Sequence, residues 1–381
     1  MIYLDNAATT KPNNKILEAI TPYIEKLWQN PSSVSPESKE IKNKIEEVRE
    51  LVANSIGAKP NEIFFTSGAT ESNNWVLRGF QDNYKNRKCH IITTPIEHNS
   101  IISCLESCEV QGNYSYCKID EKGIVNRDNF KEMLSKLYEQ DIKILASVIF
   151  GNNEIGTIQK IKDLSNLTHK HFGYFHTDAT QVFGHIPIDV DDLGIDLMSC
   201  SSQKLNGLKG TGFLYKREGV RIKPLIYGSQ ENGMRGGTEN VIGIIALGEA
   251  IKQINYDREI NIKKVRDYMI DGLVEMFGCK VNGSRTQRLF NNISVTFPQK
   301  IKGEELLEML LLHNVYCSSG SACNSYDNKP SRVLSAIGLT DEEINKTIRI
   351  TLSGYETMSY IDIILLIFEE SIKILSSRNE V

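Results

Sequence analysis

Tyr174–Gln181 reads YFHTDATQ and Ser199–Gly212 reads SCSSQKLNGLKGTG, and these two stretches decide the fold. The first is a short β-prone run that stops at Asp178, with Gln181 three residues later. The second lies between the strand signals Leu197–Cys200 and Gly212–Tyr215 and holds Lys204 in a loop of serines and glycines. An acid at the carboxyl end of a parallel strand lies where open α/β sheets bind ligands. Capping the segment that follows is the plainer use of Asp178, and a solvated surface charge is the commonest use of a lysine.

Working outward, Glu62–Thr66, Cys89–Thr93 and Ile144–Phe150 repeat the pattern of short apolar or β-branched runs separated by helix-length intervals. That alternation predicts βαβ units and a mostly parallel sheet. Ser38–Gly57 carries Ile41, Ile45, Val48, Leu51, Val52 and Ile56 at helical spacing and closes on a glycine, which predicts a helix. From about Gln253 an amphipathic stretch with Val265, Met269, Leu273 and Met276 leads to a strand signal at Asn291–Phe297 and a helix around Glu304–Leu312. The fold class expected is α/β, with a second, smaller α+β domain.

With 381 residues the chain is longer than one core serves comfortably, and 40% apolar with 24% charged residues describes a globular protein. A net charge of -4 argues against a nucleic-acid or anionic-membrane partner. No basic, apolar leader precedes Asp5, and the apolar run Ile363–Phe368 is too short to span a bilayer. Eight cysteines, at 89, 104, 108, 117, 200, 279, 317 and 323, form no CxxC pair and no regular framework, which points to a reducing, cytoplasmic setting.

Phe64–Asn74 (FFTSGATESNN) reads as a strand, a Ser-Gly turn and a helix start near Thr70 and Glu71, an arrangement that suits an anion. A plain strand-to-helix turn is the competing reading. No GxGxxG occurs, and Gly151–Thr157 (GNNEIGT) lacks the GK[ST] of a P-loop. A lysine among hydroxyls and glycines, downstream of a phosphate-type turn and a strand-end acid, is the set needed to hold pyridoxal phosphate. In Val315–Pro330, Cys317 sits beside Val315 and Tyr316 as a small core hydrophobe would, whereas Cys323 has small polar neighbours, the setting of a reactive thiol. Ordering Ser318–Asp327 would cost roughly 1–2 kcal/mol of backbone entropy per residue with little burial in return, so that loop is expected to be mobile. His169, His171 and His176 straddle a helix end and a strand, and no metal site is expected.

YLDNAATT at Tyr3–Thr10, NPSS at Asn30–Ser33, SGATESNN at Ser67–Asn74 and EH at Glu97–His98 are joined by NNEIG at Asn152–Gly156, DATQ at Asp178–Gln181, MRGGTEN at Met234–Asn240 and SSGSAC at Ser318–Cys323. In this order and over nearly the whole length, they make the chain resemble the pyridoxal-phosphate-dependent cysteine desulfurases that supply iron–sulfur cluster and tRNA thiolation pathways. The resemblance implies a fold-type-I homodimer, with a large cofactor domain over 12–256 and a small domain from 1–11 and 257–381. It implies L-cysteine as substrate and a sulfur-acceptor protein as partner. By matching position, Lys204 would hold the cofactor as a Schiff base and shuttle the Cα proton, Asp178 would keep the pyridine nitrogen protonated, and His98 would stack on the ring and assist proton transfer. Gln181 would sit at the cofactor's 3′ oxygen, and Asn153 near that oxygen or the substrate carboxylate. Ala69, Thr70, Ser201 and Gln203 would lie at the cofactor, Thr70 and Ser201 as phosphate ligands, and Thr238 would reach the phosphate of the neighbouring subunit. Arg349 would grip the substrate carboxylate, and Cys323 would take the sulfur as a persulfide, leaving alanine.

Three positions depart from that pattern: Gln203 stands where a histidine precedes the lysine, Ser35 replaces a histidine after NPSS, and Ser353-Gly354 alters the segment after Arg349. A selenocysteine lyase or aminotransferase-like relative would keep Lys204 and Asp178 without needing Cys323. A sulfur-relay or scaffold-binding protein that has lost turnover is the third reading, and the intact set of Lys204, Asp178, His98 and Cys323 argues against it.

Overall fold

The computed structural model describes residues 1–85, 87–107, 113–319 and 330–378. Cys108 and Cys323, and with them the expected mobility of the loop around Cys323, lie outside the described residues. The chain opens with a short strand, β1 (Ile2–Tyr3), and two helices, α1 (Asn14–Glu25) and α2 (Pro36–Ser55). Strand and helix then alternate: β2 (Ile63–Thr66), α3 (Ala69–Tyr84), β3 (Cys89–Thr93), α4 (Asn99–Glu106), β4 (Tyr114–Tyr116), α5 (Arg127–Glu139), β5 (Lys143–Ser147), α6 (Ile161–Lys170), β6 (Tyr174–Asp178), β7 (Leu197–Ser201) and β8 (Gly212–Lys216). All seven strands from β2 to β8 form one sheet in the order β2-β8-β7-β6-β5-β3-β4. The pairs among β7, β6, β5, β3 and β4 are parallel, while β8 is antiparallel to both β7 and β2. So β8 alone is reversed, and the other six strands all point their carboxyl ends to one edge.

Strands β2, β5, β7 and β8 carry apolar residues on both sides because helices cover both faces. Phe65, Ala146, Met198 and Phe213 join a core with Ile41, Val48 and Val52 of α2, while their neighbours Phe64, Leu145, Leu197 and Leu214 join another with Trp75, Leu77 and Phe80 of α3. This one-residue alternation is the period of a pleated strand. Helix α2 ends as its sequence predicts: Gly57 follows with φ +69°, and a Cβ there would meet the Asp189 carboxylate at 3.1 Å. Ser35, in place of the histidine, caps the start of α2 by accepting the Ser38 N–H at 3.2 Å.

The rest of the chain comprises α7 (Val241–Lys252), α8 (Tyr256–Phe277), β9 (Lys280–Val281), β10 (Asn292–Thr296), α9 (Gly303–Leu312), β11 (Val315–Tyr316), β12 (Ser318–Ser319), α10 (Arg332–Ala336), α11 (Asp341–Asn345), β13 (Thr347–Thr351) and α12 (Met358–Arg378). Helix α7 belongs to the first core, contributing Ile244, Ile245 and Leu247. The four-stranded sheet β12-β13-β10-β9 shares a separate core with α8, α9 and α12, in which Met269 and Leu273 are buried. Met276, on the same predicted stripe, is exposed. Leu4 joins this second core, and β1 pairs in parallel with β11, so the N-terminus lies against the C-terminal part of the chain. Among the described residues no helix is long and apolar enough to cross a membrane.

Candidate active site

Because six strands end at one edge, the segments that follow them meet there. Ser67–Thr70 after β2, His98 beyond β3, Ile149, Gly151 and Asn153 after β5, Asp178, Thr180 and Gln181 at the end of β6, and Ser201, Gln203 and Lys204 from the end of β7 line one cavity of about 360 Å³. Ala7, Ala8, Gly210 and Arg349 complete its wall. A larger cleft of about 940 Å³, lined by Met1, Lys11, Lys15, Tyr355 and Tyr360 among others, includes none of Lys204, Asp178 and His98. The chemistry therefore selects the smaller cavity, whose size suits one small cofactor and its substrate.

Asp178 is 3% exposed, and an isolated carboxylate so placed would be costly. It is held instead by the Asn73 side-chain amide at 2.8 Å and the Thr180 main-chain N–H at 3.0 Å. Behind it, His176 is fully buried between the Ser147 and Ser199 hydroxyls, and burial lowers its pKa to about 4. His98 caps α4, its Nδ1 accepting the Ser100 N–H at 3.1 Å. Burial lowers the His98 pKa, opposed by Asp178 and reinforced by Lys204. Its neighbour Glu97 is buried, with Oε1 accepting from Thr94 Oγ1 at 2.6 Å and from the Ile149 N–H at 3.0 Å while Oε2 has no partner. Burial pushes that carboxyl up to about 8, so it is neutral at pH 7 and ties the residue before His98 to the strand end that lines the cavity.

Lys204 Nζ donates to the carbonyls of Ala7, at 2.6 Å, and Ala8, and Gln181 Nε2 donates to the same Ala7 carbonyl at 3.1 Å. The YLDNAATT segment therefore crosses the mouth of the site. The Gln203 carbonyl accepts from Thr10 Oγ1 at 2.8 Å, so main-chain anchoring places the residue before the lysine, while its side chain lines the cavity. Gly212 on β8 lets that strand pass close to the start of α3, where a Cβ would come within 2.7 Å of Gly68 Cα. Arg349, on β13, is 3% exposed and donates from Nη2 to Asp5 Oδ1 at 2.6 Å, leaving Nε buried without a partner. Ser353-Gly354 forms a turn after β13, with Gly354 at φ +89° and Glu356 accepting both main-chain N–H groups.

Of the expected site residues, Lys204, His98, Asp178, Gln181, Ala69, Thr70, Ser201, Gln203, Asn153 and Arg349 all line this cavity. Thr238 does not: it is exposed on the loop before α7. Cys323 lies outside the described residues. Cys317 is half-buried beside Asp5 and Arg349, packed against the second core, and loss of solvent around its thiol raises its pKa. Sequence reasoning passed over Asn73, Ser100, Asp5 and the Ala7 and Ala8 carbonyls. Asn73 and Asp5 stood inside quoted motifs, but nothing local marks which member of SGATESNN or YLDNAATT turns inward.

The residues fit pyridoxal phosphate. A helix start with serine and threonine beside it suits a phosphate, a buried and supported carboxylate suits a pyridinium nitrogen, and a lysine amine lies in the same cavity. The buried Arg349 Nε is a donor still lacking an acceptor.

Residues 2–364 match the family model described as Aminotransferase class-V. The chain is 41% identical over 377 residues to the "Cysteine desulfurase IscS" of Methanosarcina thermophila, covering 98% of this chain and 92% of the relative. It is 42% identical over 378 residues to the protein of the same name from Dictyoglomus turgidum, covering 98% and 94%. Among solved structures it resembles a "NIFS-LIKE PROTEIN" with a TM-score of 0.88 and 34% identity over 98% of this chain and 99% of that one. "SspA in complex with cysteine" aligns with a TM-score of 0.82 and 33% identity over 94% and 100%. The chain belongs to the class-V aminotransferase family of pyridoxal-phosphate enzymes and, within it, to the cysteine desulfurases.

Proposed function

We propose that this enzyme converts L-cysteine to L-alanine and takes the sulfur on Cys323, so that L-cysteine and one thiol become L-alanine and one persulfide, with no atom gained or lost. The observation that carries this reading is the meeting of Lys204, Asp178, His98 and the buried Arg349 in one cavity. Pyridoxal phosphate supplies, when bound, the electron sink that makes the Cα–H bond breakable. Lys204 Nζ holds the cofactor and moves the Cα proton. Asp178 keeps a proton on the ring nitrogen, a task for which its two supporting donors fix its aim. Ala69, Thr70, Ser201 and Gln203 hold the phosphate end, Gln181 and Asn153 the opposite side of the ring. Arg349 receives the substrate carboxylate on a planar fork that lysine could not reproduce.

The ladder that pairs Ser318 with Arg349 brings the chain to the substrate arginine just before the segment that carries Cys323. We assign the cofactor role to a large domain over 12–256, supported by its seven-stranded sheet, and a small domain to 1–11 with 257–381, supported by Leu4 in the second core. Thr238, exposed in one chain, is assigned to the phosphate site of a second copy, making a homodimer. A sulfur-acceptor protein and a cytoplasmic setting complete the proposal.

Alanine and sulfide released from L-cysteine by the holoenzyme, in the presence of a reductant, test the reading. Both are expected from the wild type, and no sulfide from Cys323→Ala. Undiminished turnover in Cys323→Ala would refute the persulfide step.

A further inference from the structure

His98 meets the start of α4 through Nδ1. That nitrogen is 3.1 Å from the Ser100 main-chain nitrogen and 2.8 Å from Ser100 Oγ. A main-chain N–H can only donate, so Nδ1 must present its lone pair, and the hydrogen of the neutral ring sits on Nε2. The remaining donors fall into line. Asn73 Nδ2, with two hydrogens and no lone pair to offer, donates to Asp178 Oδ2 at 2.8 Å and to Ser100 Oγ at 2.9 Å. The Ser100 hydroxyl, accepting from Asn73, has its single hydrogen left for His98 Nδ1. Asn73 and Ser100 are 0% and 8% exposed, so water does not compete for these bonds. A proton added at Nδ1 would face the Ser100 N–H, donor against donor.

We propose that Ser100, oriented by Asn73, is a positioning residue that holds His98 as the neutral ring with its hydrogen on Nε2, so that its Nδ1 lone pair is not available as a base. The inference rests on the function proposed above and assigns Cα proton removal to Lys204 alone. The charged groups that face His98 pull in opposite directions: Asp178, from the end of β6, favours its charging, while Lys204, from the turn after β7, opposes it. Arg349, from β13, lines the same cavity, and Glu97, the preceding residue, is neutral at pH 7. Burial is the largest influence and lowers the His98 pKa, and two hydrogen bonds into Nδ1 act in the same direction because they stabilise only the neutral ring.

The test is nitrogen NMR of the holoenzyme labelled with ¹⁵N-histidine, followed over pH, with the His98 signals identified by their loss in His98→Gln. Nε2 protonated, Nδ1 bare and a titration midpoint below that of a free imidazole are expected. Ser100→Ala removes one donor to Nδ1, so the midpoint should rise and the tautomers should mix. Its kcat should fall about five- to tenfold, the worth of one hydrogen bond, with KM for L-cysteine little changed. Ser100→Thr, which restores a hydroxyl, should recover both. A wild-type His98 protonated on Nδ1, or a Ser100→Ala protein with unchanged tautomer and midpoint, overturns the proposal. Sulfide release is read separately: its absence in the wild type overturns the functional reading, while the tautomer alone decides this one.

Discussion

The two ends of the cavity are built on opposite plans. At the end formed by the seven-stranded sheet, Asp178 receives two donors, Asn73 is shared between Asp178 and Ser100, and His98 is held from behind. At the end formed by β13, Arg349 has one carboxylate partner, Asp5, and a buried Nε with none. A side chain whose hydrogen bonds are already met is held in one position, and a buried donor left over is a place for a ligand oxygen. The difference supports the proposed roles, in which the first end orients the cofactor and the second receives the substrate.

The sharpest way to break this comparison is to change one residue at each end. On the roles proposed for them, Asp178→Asn should lower kcat by about 10²–10⁴-fold, the range seen when a group that controls a proton is lost, with a smaller change in KM. Arg349→Lys should act mainly on KM, lowering kcat/KM for L-cysteine about ten- to a hundredfold as a charge-assisted fork is lost. Steady-state kinetics of the two variants would erase the distinction if both lost kcat equally with KM unchanged.

A second effect, on stability, concerns the orienting end. Glu97 has a folded pKa near 8 against an ordinary value of 4.5, so its contribution to stability is fully present below pH 4.5 and is lost as pH rises through 8. Glu97→Gln keeps the shape without the titration. Relative to this variant, the wild type should lose up to about 5 kcal/mol between pH 4.5 and pH 8. Denaturant melts across that range check it, and parallel curves for the two proteins would contradict a neutral Glu97.

The smallest expected effect is at the receiving end. Asp5→Asn leaves Arg349 without its counter-ion, so a substrate carboxylate should bind about two- to fivefold more tightly while the protein loses some stability. A weaker KM in that variant would mean that Asp5 aims the guanidinium for substrate instead of occupying it.

Much of this was legible in the chain itself. The strand signals around 62–66, 89–93, 174–177, 197–200 and 212–215 fall on β2, β3, β6, β7 and β8, and Asp178 stands at the carboxyl end of a parallel strand. Local composition carries that information because a strand covered on both faces is rich in apolar and β-branched residues. The reversal of β8 was not legible, since pairing direction depends on a partner and not on the strand's own residues. Cys317, read as a core thiol, is half-buried against the second core, whereas the place of Cys323 lies outside the described residues. Thr238 carried no local sign of its exposure, and its assignment depends on a second copy of the chain.

By itself, the sequence determined which chemistries were present and at what spacing: a lysine in a Ser/Gly loop, an acid ending a strand, an arginine near the C-terminus, and motifs in one order. Only the tertiary structure decided which of them meet. Asp5 and Arg349 stand 344 positions apart and form an ion pair, and Ala7 and Lys204 stand 197 apart and share a hydrogen bond. The physical reason is directional. Burial and periodicity are properties of a segment, but a hydrogen bond needs a donor and an acceptor aimed at each other, and that aim exists only once the sheet has brought its strand ends to one edge.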